Sequence, residues 1–282
     1  MPLDIVTDPY AVPEDLVERI DALDLRQNVR DLVDDGYTVI QDPVAHILTD
    51  RVREAIVRLS GETEGGPLSA RGAGLLLGRD PVFAEAVLVP KLLVMAQYVV
   101  GRGMLMSQLI GTIRRQGGAP LALHADNSWF PEPFPPWEFM CTACWVTDEF
   151  ATESGPTLIM PGTHKARRHP PREVRKSLEG AQPIIAPKGS LCLWNGSVWH
   201  GNYSRTLPGE RVVLHMTFTR VGFETVEDYS HLDDAWLADK PPEMSGLLGR
   251  KLFFGSTTPT SGGTDPARLQ ATYRLVHGPR GY

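Results

Sequence analysis

The chain has 282 residues, 42% of them apolar, enough to bury a substantial core and too many for a disordered polymer. Its 27 glycines and 24 prolines are scattered without a period, which excludes a collagen-like repeat and argues for many turns in place of long helix bundles. The formal net charge of −6 lacks the basic excess of a sequence-independent nucleic-acid binder.

The opening stretch MPLDIVTDPY is acidic and has neither the basic nor the apolar region of a signal peptide. Over residues 12–35, Leu16, Ile20, Leu23, Val29, Leu32 and Val33 recur at helical spacing, with a break expected near Asp24. Gly36 ends that pattern, and Tyr37 to Ile40 reads as a short strand. Helical spacing returns over 44–59 through Val44, Ile47, Val52, Ile56 and Leu59, and the Gly-rich stretch 60–78 reads as a loop. Asp80 suits an N-cap with Pro81 at the first helical position, and the helix is expected to continue to about Val100. The longest apolar run, 84–100, lies here, but Pro90, Lys91 and Gln97 interrupt it before the ~18 residues needed to cross a bilayer.

After Gly103 short strand-like runs dominate, at 104–114, 139–147, 157–160, 190–194 and 210–220, with loops rich in Gly, Pro and Asn between them. Helices first and strands second point to one mainly β domain, an antiparallel barrel or jelly roll with flanking α-helices. In that reading 1–103 are helical support and lid, 104–222 the β-core, and 223–282 a C-terminal cover with helical fragments over 233–251 and a Gly/Pro/Thr-rich tail. Three cysteines, Cys141, Cys144 and Cys192, suit a reducing cytosol, so a cytoplasmic protein is expected. Cys141 and Cys144 sit three apart within one strand and face opposite sides, which argues against a zinc or redox C-x-x-C pair.

The chemistry concentrates at His124-Ala125-Asp126. Residues i and i+2 of an extended chain share a face, so one imidazole and one carboxylate can bind one metal. Alone the triplet says little, because chance supplies about 0.5 of them in such a composition and His231-Leu232-Asp233 is a second. Context separates the two. Downstream, His200 follows a strand and an Asn195-Gly196 turn, an order that brings it back across a barrel. Two imidazoles and a carboxylate form the facial triad of Fe(II) oxygenases, which leaves three coordination positions open. Eleven residues after His200, Arg211 opens a strand in which Arg211, Val213, His215, Thr217 and Thr219 share a pocket-facing side, while Val212, Leu214, Met216 and Phe218 pack on the other. An arginine there offers a fixed two-pronged donor to a carboxylate. The second triplet has only His277 downstream and no arginine at this spacing, and reads as surface loop.

These residues resemble the phytanoyl-CoA dioxygenase (PhyH-type) family of Fe(II)- and 2-oxoglutarate-dependent oxygenases over most of 30–220. Asp35-Gly-Tyr-Thr-Val-Ile40 is similar to the family's early GY-x-V-I strand, Gly155-Pro-Thr-Leu-Ile-Met-Pro-Gly-Thr-His164-Lys to its GPL-x-x-x-PGSHK segment, and Gly189-Ser-Leu-Cys-Leu-Trp194 to its GD-x-x-x-F strand. The resemblance implies a double-stranded β-helix core. It implies His124, Asp126 and His200 as iron ligands and Arg211 as the partner of the distal carboxylate of 2-oxoglutarate, with O2 as oxidant. Asn202 stands where members often carry a serine that touches the cosubstrate, and Thr112 is a further candidate contact. Related halogenases have Gly or Ala in place of Asp126, so the resemblance favours hydroxylation or another oxidation.

Other features have plainer readings. His164 fits a loop-stabilising role, and His215 a substrate contact or a hydrogen-bonded interior residue. Trp129 and Phe130 would line a substrate pocket, whereas Phe134, Trp137 and Trp145 read as core. Arg114 and Arg115 read as an exposed strand end, and Lys165, Arg167, Arg168 and Arg172 as a solvated basic loop. The expected partner is a small-molecule substrate, with no nucleic acid and no membrane; a homo-oligomer stays open. Two other functions stay open as well: a cupin-like metal isomerase or hydrolase without need of Arg211, and a catalytically silent binding module on the same scaffold.

Overall fold

A computed structural model describes residues 12–41, 46–60, 72–257 and 263–277. The N-terminal decapeptide, most of the Gly-rich stretch 60–78 and the start of the helical pattern at Val44 lie outside these residues. Two helices lead the described chain, α1 (Glu14–Ala22) and α2 (Arg26–Asp34). They part at Asp24, whose φ of 54° is left-handed, a conformation aspartate tolerates better than most residues. Strand β1 (Tyr37–Ile40), helix α3 (His46–Ser60) and the two-residue strand β2 (Gly72–Ala73) follow. The single helix expected over 80–100 is two, α4 (Pro81–Val87) and α5 (Pro90–Val100), whose axes bend by 58°. Asp80 caps α4 as expected, accepting from Val82 N. Pro90 has no N–H to donate back to α4 and starts a new helix instead.

The β-core comprises β3 (Leu105–Arg115), β4 (Leu121–His124), β5 (Met140–Val146), β6 (Thr157–Met160), β7 (Gln182–Pro183), β8 (Leu191–Asn195), β9 (Trp199–Asn202) and β10 (Glu210–Thr219), with α6 (Arg172–Ser177) before β7. They form two antiparallel sheets, a large one in the order β1-β8-β5-β10-β3-β2 and a small one in the order β4-β9-β6-β7. Alternation along the central strands gives the large sheet two different faces. Cys141, Ala143, Trp145, Leu193, Leu214 and Phe218 pack outward against the helices, with Ile56, Phe83 and Leu92. Cys144, Val146, Cys192, Trp194 and Val213 point inward and meet Ile159 and Val198 on the small sheet's side. Cys141 and Cys144 therefore do face opposite sides, and all three cysteines are free and buried. Gly111 lets α3 approach β3, since a Cβ there would lie 2.5 Å from Ile56 Cγ2.

The C-terminal segment carries α7 (Asp234–Leu237) and α8 (Pro242–Leu247) inside the expected 233–251 fragments. The tail, read as Gly/Pro/Thr-rich cover, also contains a 12-residue helix, α9 (Pro266–His277). Its charged and polar surface gives no amphipathic stripe to find, and only Thr272 is buried. Among the described residues no single helix is long and apolar enough to cross a membrane.

Candidate metal centre

His124 ends β4, Asp126 opens the 3₁₀ turn Asp126–Trp129 that follows, and His200 lies in β9. His124 and His200 are directly opposite in the β4–β9 pair, with ring centroids 4.3 Å apart. Gly201 allows that approach, because a Cβ there would sit 2.5 Å from the Leu121 carbonyl oxygen of β4. Asp126 Oδ1 is 3.4 Å from His200 Nε2 and 3.7 Å from His124 Nε2. One donor atom from each of the three residues falls within 4.8 Å of the others, close enough to share one ion.

The surroundings orient these donors. His124 Nδ1 is 2.8 Å from the Ala122 carbonyl and His200 Nδ1 is 3.1 Å from the Val198 carbonyl. A carbonyl only accepts, so each Nδ1 donates to it and each Nε2 is left facing Asp126, where a metal can take the place of a proton, the orientation metal-binding histidines use. Asp126 Oδ2 accepts from Thr142 Oγ1 (2.8 Å) and Trp194 Nε1 (3.2 Å), leaving Oδ1 toward the imidazoles. Burial disfavours charge on Asp126, but the positive charge and hydrogen bond of His200 outweigh it and hold the carboxyl well below its ordinary range. Burial also lowers His200, yet Asp126 raises it overall, while burial and His200 together pull His124 down. The site is thus built around a fixed negative charge.

Further along the same interior lies a cluster of buried basic and polar side chains. Arg211 is only 1% exposed; its guanidinium lies 4.9 Å from the centroid of the Phe150 ring and donates to the Gly155 carbonyl. Gly155 holds a left-handed φ of 70°, and a Cβ there would lie 2.7 Å from Arg205 N, so the Gly-Pro-Thr motif brings its carbonyl to Arg211 where a larger residue would clash. Burial pushes Arg211 down to about 10, still protonated at neutral pH. Arg211 Nε, Thr112 Oγ1, Asn202 Nδ2 and Thr157 Oγ1 are all buried without a hydrogen-bond partner. Thr112 is opposite Val213, two residues along β10 from Arg211, Thr157 is opposite Asn202, and a hydrogen bond from Arg114 of β3 to Asn202 joins the two sheets there, so the four lie in one region. Buried donors are normally satisfied, and a cluster left open marks a place for a ligand with acceptors.

Sequence reasoning brings most of this set to one interior. His215 shares the inward face of β10 between Thr217 and Arg211, and burial pushes its imidazole down to about 3, so it is neutral. That places His215 beside the space between metal centre and basic cluster. Phe130 packs on Phe139 and Phe223 at 3.8 and 5.6 Å between centroids, and Trp129 stands 78% exposed. His231 is exposed and Asp233 caps α7 through Trp236 N. His164 Nε2 meets the Val33 carbonyl at 3.2 Å, consistent with a loop-stabilising role.

Arg114 departs from the expectation of an exposed strand end. Arg115 is exposed and pairs with Glu210, but Arg114, one residue earlier, turns inward and donates to Asn202 Oδ1 (3.2 Å) and the Ala119 carbonyl (3.0 Å). Alternation could have raised this possibility. Thr142 and Trp194 were also unforeseen, because alternation tells which face a residue takes but not its height along the barrel.

The model for the phytanoyl-CoA dioxygenase (PhyH) family matches residues 32–211, from α2 to Arg211. The chain belongs to the PhyH family. Among its relatives, the uncharacterised protein Rv1501 of Mycobacterium tuberculosis is 24% identical over 246 residues, covering 83% of this chain and 89% of that one. The dioxygenase af480 of Aspergillus fumigatus is 25% identical over 178 residues, 61% of this chain and 54% of its own. HygX from Streptomyces hygroscopicus, solved with nickel and 2-oxoglutarate bound, superposes with a TM-score of 0.60 at 20% identity, over 71% of this chain and 88% of HygX. The HygX structure that also holds hygromycin B gives 0.61 at 19% identity, over 71% and 89%. These similarities show a common double-stranded β-helix fold.

Proposed function

We propose that this PhyH-family chain is an Fe(II)- and 2-oxoglutarate-dependent oxygenase that hydroxylates a small-molecule metabolite. His124, Asp126 and His200 would hold the iron, and Arg211, Asn202 and Thr112 would receive the distal carboxylate of 2-oxoglutarate. The observation that carries the reading is the pairing of two features in one interior: a triad with both ε-nitrogens freed for a metal, and a cluster of buried donors without partners. The HygX structures, with iron in one and nickel plus 2-oxoglutarate in another, support it by analogy of fold.

Bound there, Fe(II) with the 2-oxo acid supplies the activation of O2, and the 2-oxo acid ends as succinate and CO2. The chain's own residues orient and desolvate. Thr142 and Trp194 fix the Asp126 carboxylate, the carbonyls of Ala122 and Val198 fix both rings, and neutral His215 walls the space without adding charge. Asp126 stands where the halogenases that this sequence resembles have Gly or Ala, so hydroxylation is proposed over halogenation. We place the substrate near Trp129 and Phe130, with 1–103 as support and lid, 104–222 as core and 223–282 as cover of one cytoplasmic oxygenase domain.

Anaerobic addition of Fe(II) and 2-oxoglutarate should give the weak visible band of a chelated keto acid, and aerobic turnover should release succinate. Both should vanish in His124→Ala and Asp126→Ala. Iron-dependent turnover retained without 2-oxoglutarate would favour the cupin-like isomerase or hydrolase, for which Arg211 has no task.

A further inference from the structure

Arg114 and Arg211 are directly opposite each other across β3 and β10, and both reach into the space between the sheets. Among the described residues, neither guanidinium has a carboxylate within ion-pair distance. Two arginines side by side in a partly desolvated interior repel one another, and burial lowers both. Such an arrangement is stable in company with an anion. The Asn202 side chain adds a directional clue. Arg114 Nη2 donates to its Oδ1 at 3.2 Å, which assigns the oxygen to Arg114 and leaves Nδ2, a donor, buried and without partner. Arg114 Nη1 is tied at the same time to the Ala119 carbonyl at 3.0 Å, so the guanidinium is held rather than free to swing.

We infer that Arg114 is a second positioning arm of the carboxylate pocket, which aims Asn202 Nδ2 inward and adds its own charge, so that the pocket selects 2-oxo acids ending in a carboxylate. Arg211 would grip the carboxylate directly, and Arg114 would act through the Asn202 amide and through its field. A lysine cannot reproduce this, because one ammonium cannot hold the Ala119 carbonyl and Asn202 Oδ1 in the guanidinium's planar fork. The inference rests on the proposed cosubstrate site, and its test separates the two.

The test is an anaerobic titration of the Fe(II)-loaded protein with 2-oxoglutarate and with 2-oxopentanoate, which keeps the chelating end and lacks the distal carboxylate, each read from the visible band. Wild type should bind 2-oxoglutarate much more tightly. Arg114→Gln should raise the 2-oxoglutarate Kd by about tenfold or more, the range of a lost charge-assisted contact, and leave the 2-oxopentanoate Kd within about twofold. Arg114→Lys should show the same selective loss in smaller degree, and this variant decides the matter if Arg114→Gln does not fold. Asn202→Asp, which places a carboxylate in the pocket beside Arg114, should lose 2-oxoglutarate selectively as well. Equal weakening of both acids, or no change in either, overturns the role of Arg114 while leaving the cosubstrate site standing. Failure of wild type to give a band with either acid overturns the cosubstrate reading itself, and the inference with it.

Discussion

Gly201 stands between a candidate ligand, His200, and a candidate cosubstrate contact, Asn202, and has no room for a methyl group. A Cβ there would press on the Leu121 carbonyl at 2.5 Å and on Ala122 at 3.2 Å, both backbone of the strand that carries His124. Gly201→Ala should therefore move β4 away from β9, at about 1–3 kcal/mol of stability typical of overpacking, and weaken Fe(II) binding by about tenfold or more, as read by anaerobic calorimetric titration. A second residue makes a pH prediction. Glu138 Oε2 accepts from Asn127 Nδ2 (3.2 Å) and Ser197 Oγ (3.0 Å), and burial pushes its carboxyl up to about 7. A raised carboxyl favours the fold in its protonated form, fully so below its ordinary value near 4.5, and that contribution is lost as pH rises through about 7. Glu138→Gln should gain on wild type between pH 5 and pH 8 by ~2 kcal/mol, seen as a difference in Tm that widens with pH. At this scale the sequence is partly legible. The order H-x-D, distal His and Arg is enough to bring His124, Asp126, His200 and Arg211 to one interior. The partners of Asp126 are hidden, because Thr142 and Trp194 meet it only through the register of β5 and β8 against a turn from the other sheet.

At the scale of elements, periodicity and punctuation carry most of the reading. The alternation of β10 separates Val212, Leu214, Met216 and Phe218, packed on the helices, from the inward set that begins at Arg211. The break between α1 and α2 falls at Asp24, where the apolar spacing slips. The helix over 80–100 is misread because its residues favour helix on both sides of Pro90, and only the missing N–H divides it. Helix α9 is missed for the opposite reason, since it buries too little to leave a pattern. The docking of α3 on the large sheet can be tested through Gly111. Gly111→Ala would bring a methyl within 2.5 Å of Ile56 Cγ2, and urea unfolding should show a loss of about 1–3 kcal/mol. Ile56→Ala removes the Cγ2 and Cγ1 that the new methyl would meet, so the double variant should lose less than the sum of the two single changes, a coupling expected of residues in contact.

For the whole molecule, the sequence order of helices before strands foretells a β-core supported by helices, and α3, α4 and α5 pack on the outer face of the large sheet. What it does not foretell is how unequal the two sheets are. β3 and β10 run for 11 and 10 residues in the large sheet, whereas β4, β6 and β9 have four each and β7 has two. The two candidate histidine ligands thus sit on the shorter strands, with Asp126 in the turn after β4, while the large sheet supplies Thr142, Trp194 and Arg211. Short strands with few cross-strand bonds open locally more often than long central ones. Backbone amides of β4 and β9 should consequently trade hydrogen for deuterium faster than those of β10 in the metal-free protein. An ion that joins His124 to His200 would fasten the two strands together, so loading should slow exchange most in β4 and β9 and least at the exposed α9. In this protein the metal would then be a rivet for the weaker sheet as well as a reagent, and deuterium uptake would report its arrival without any turnover.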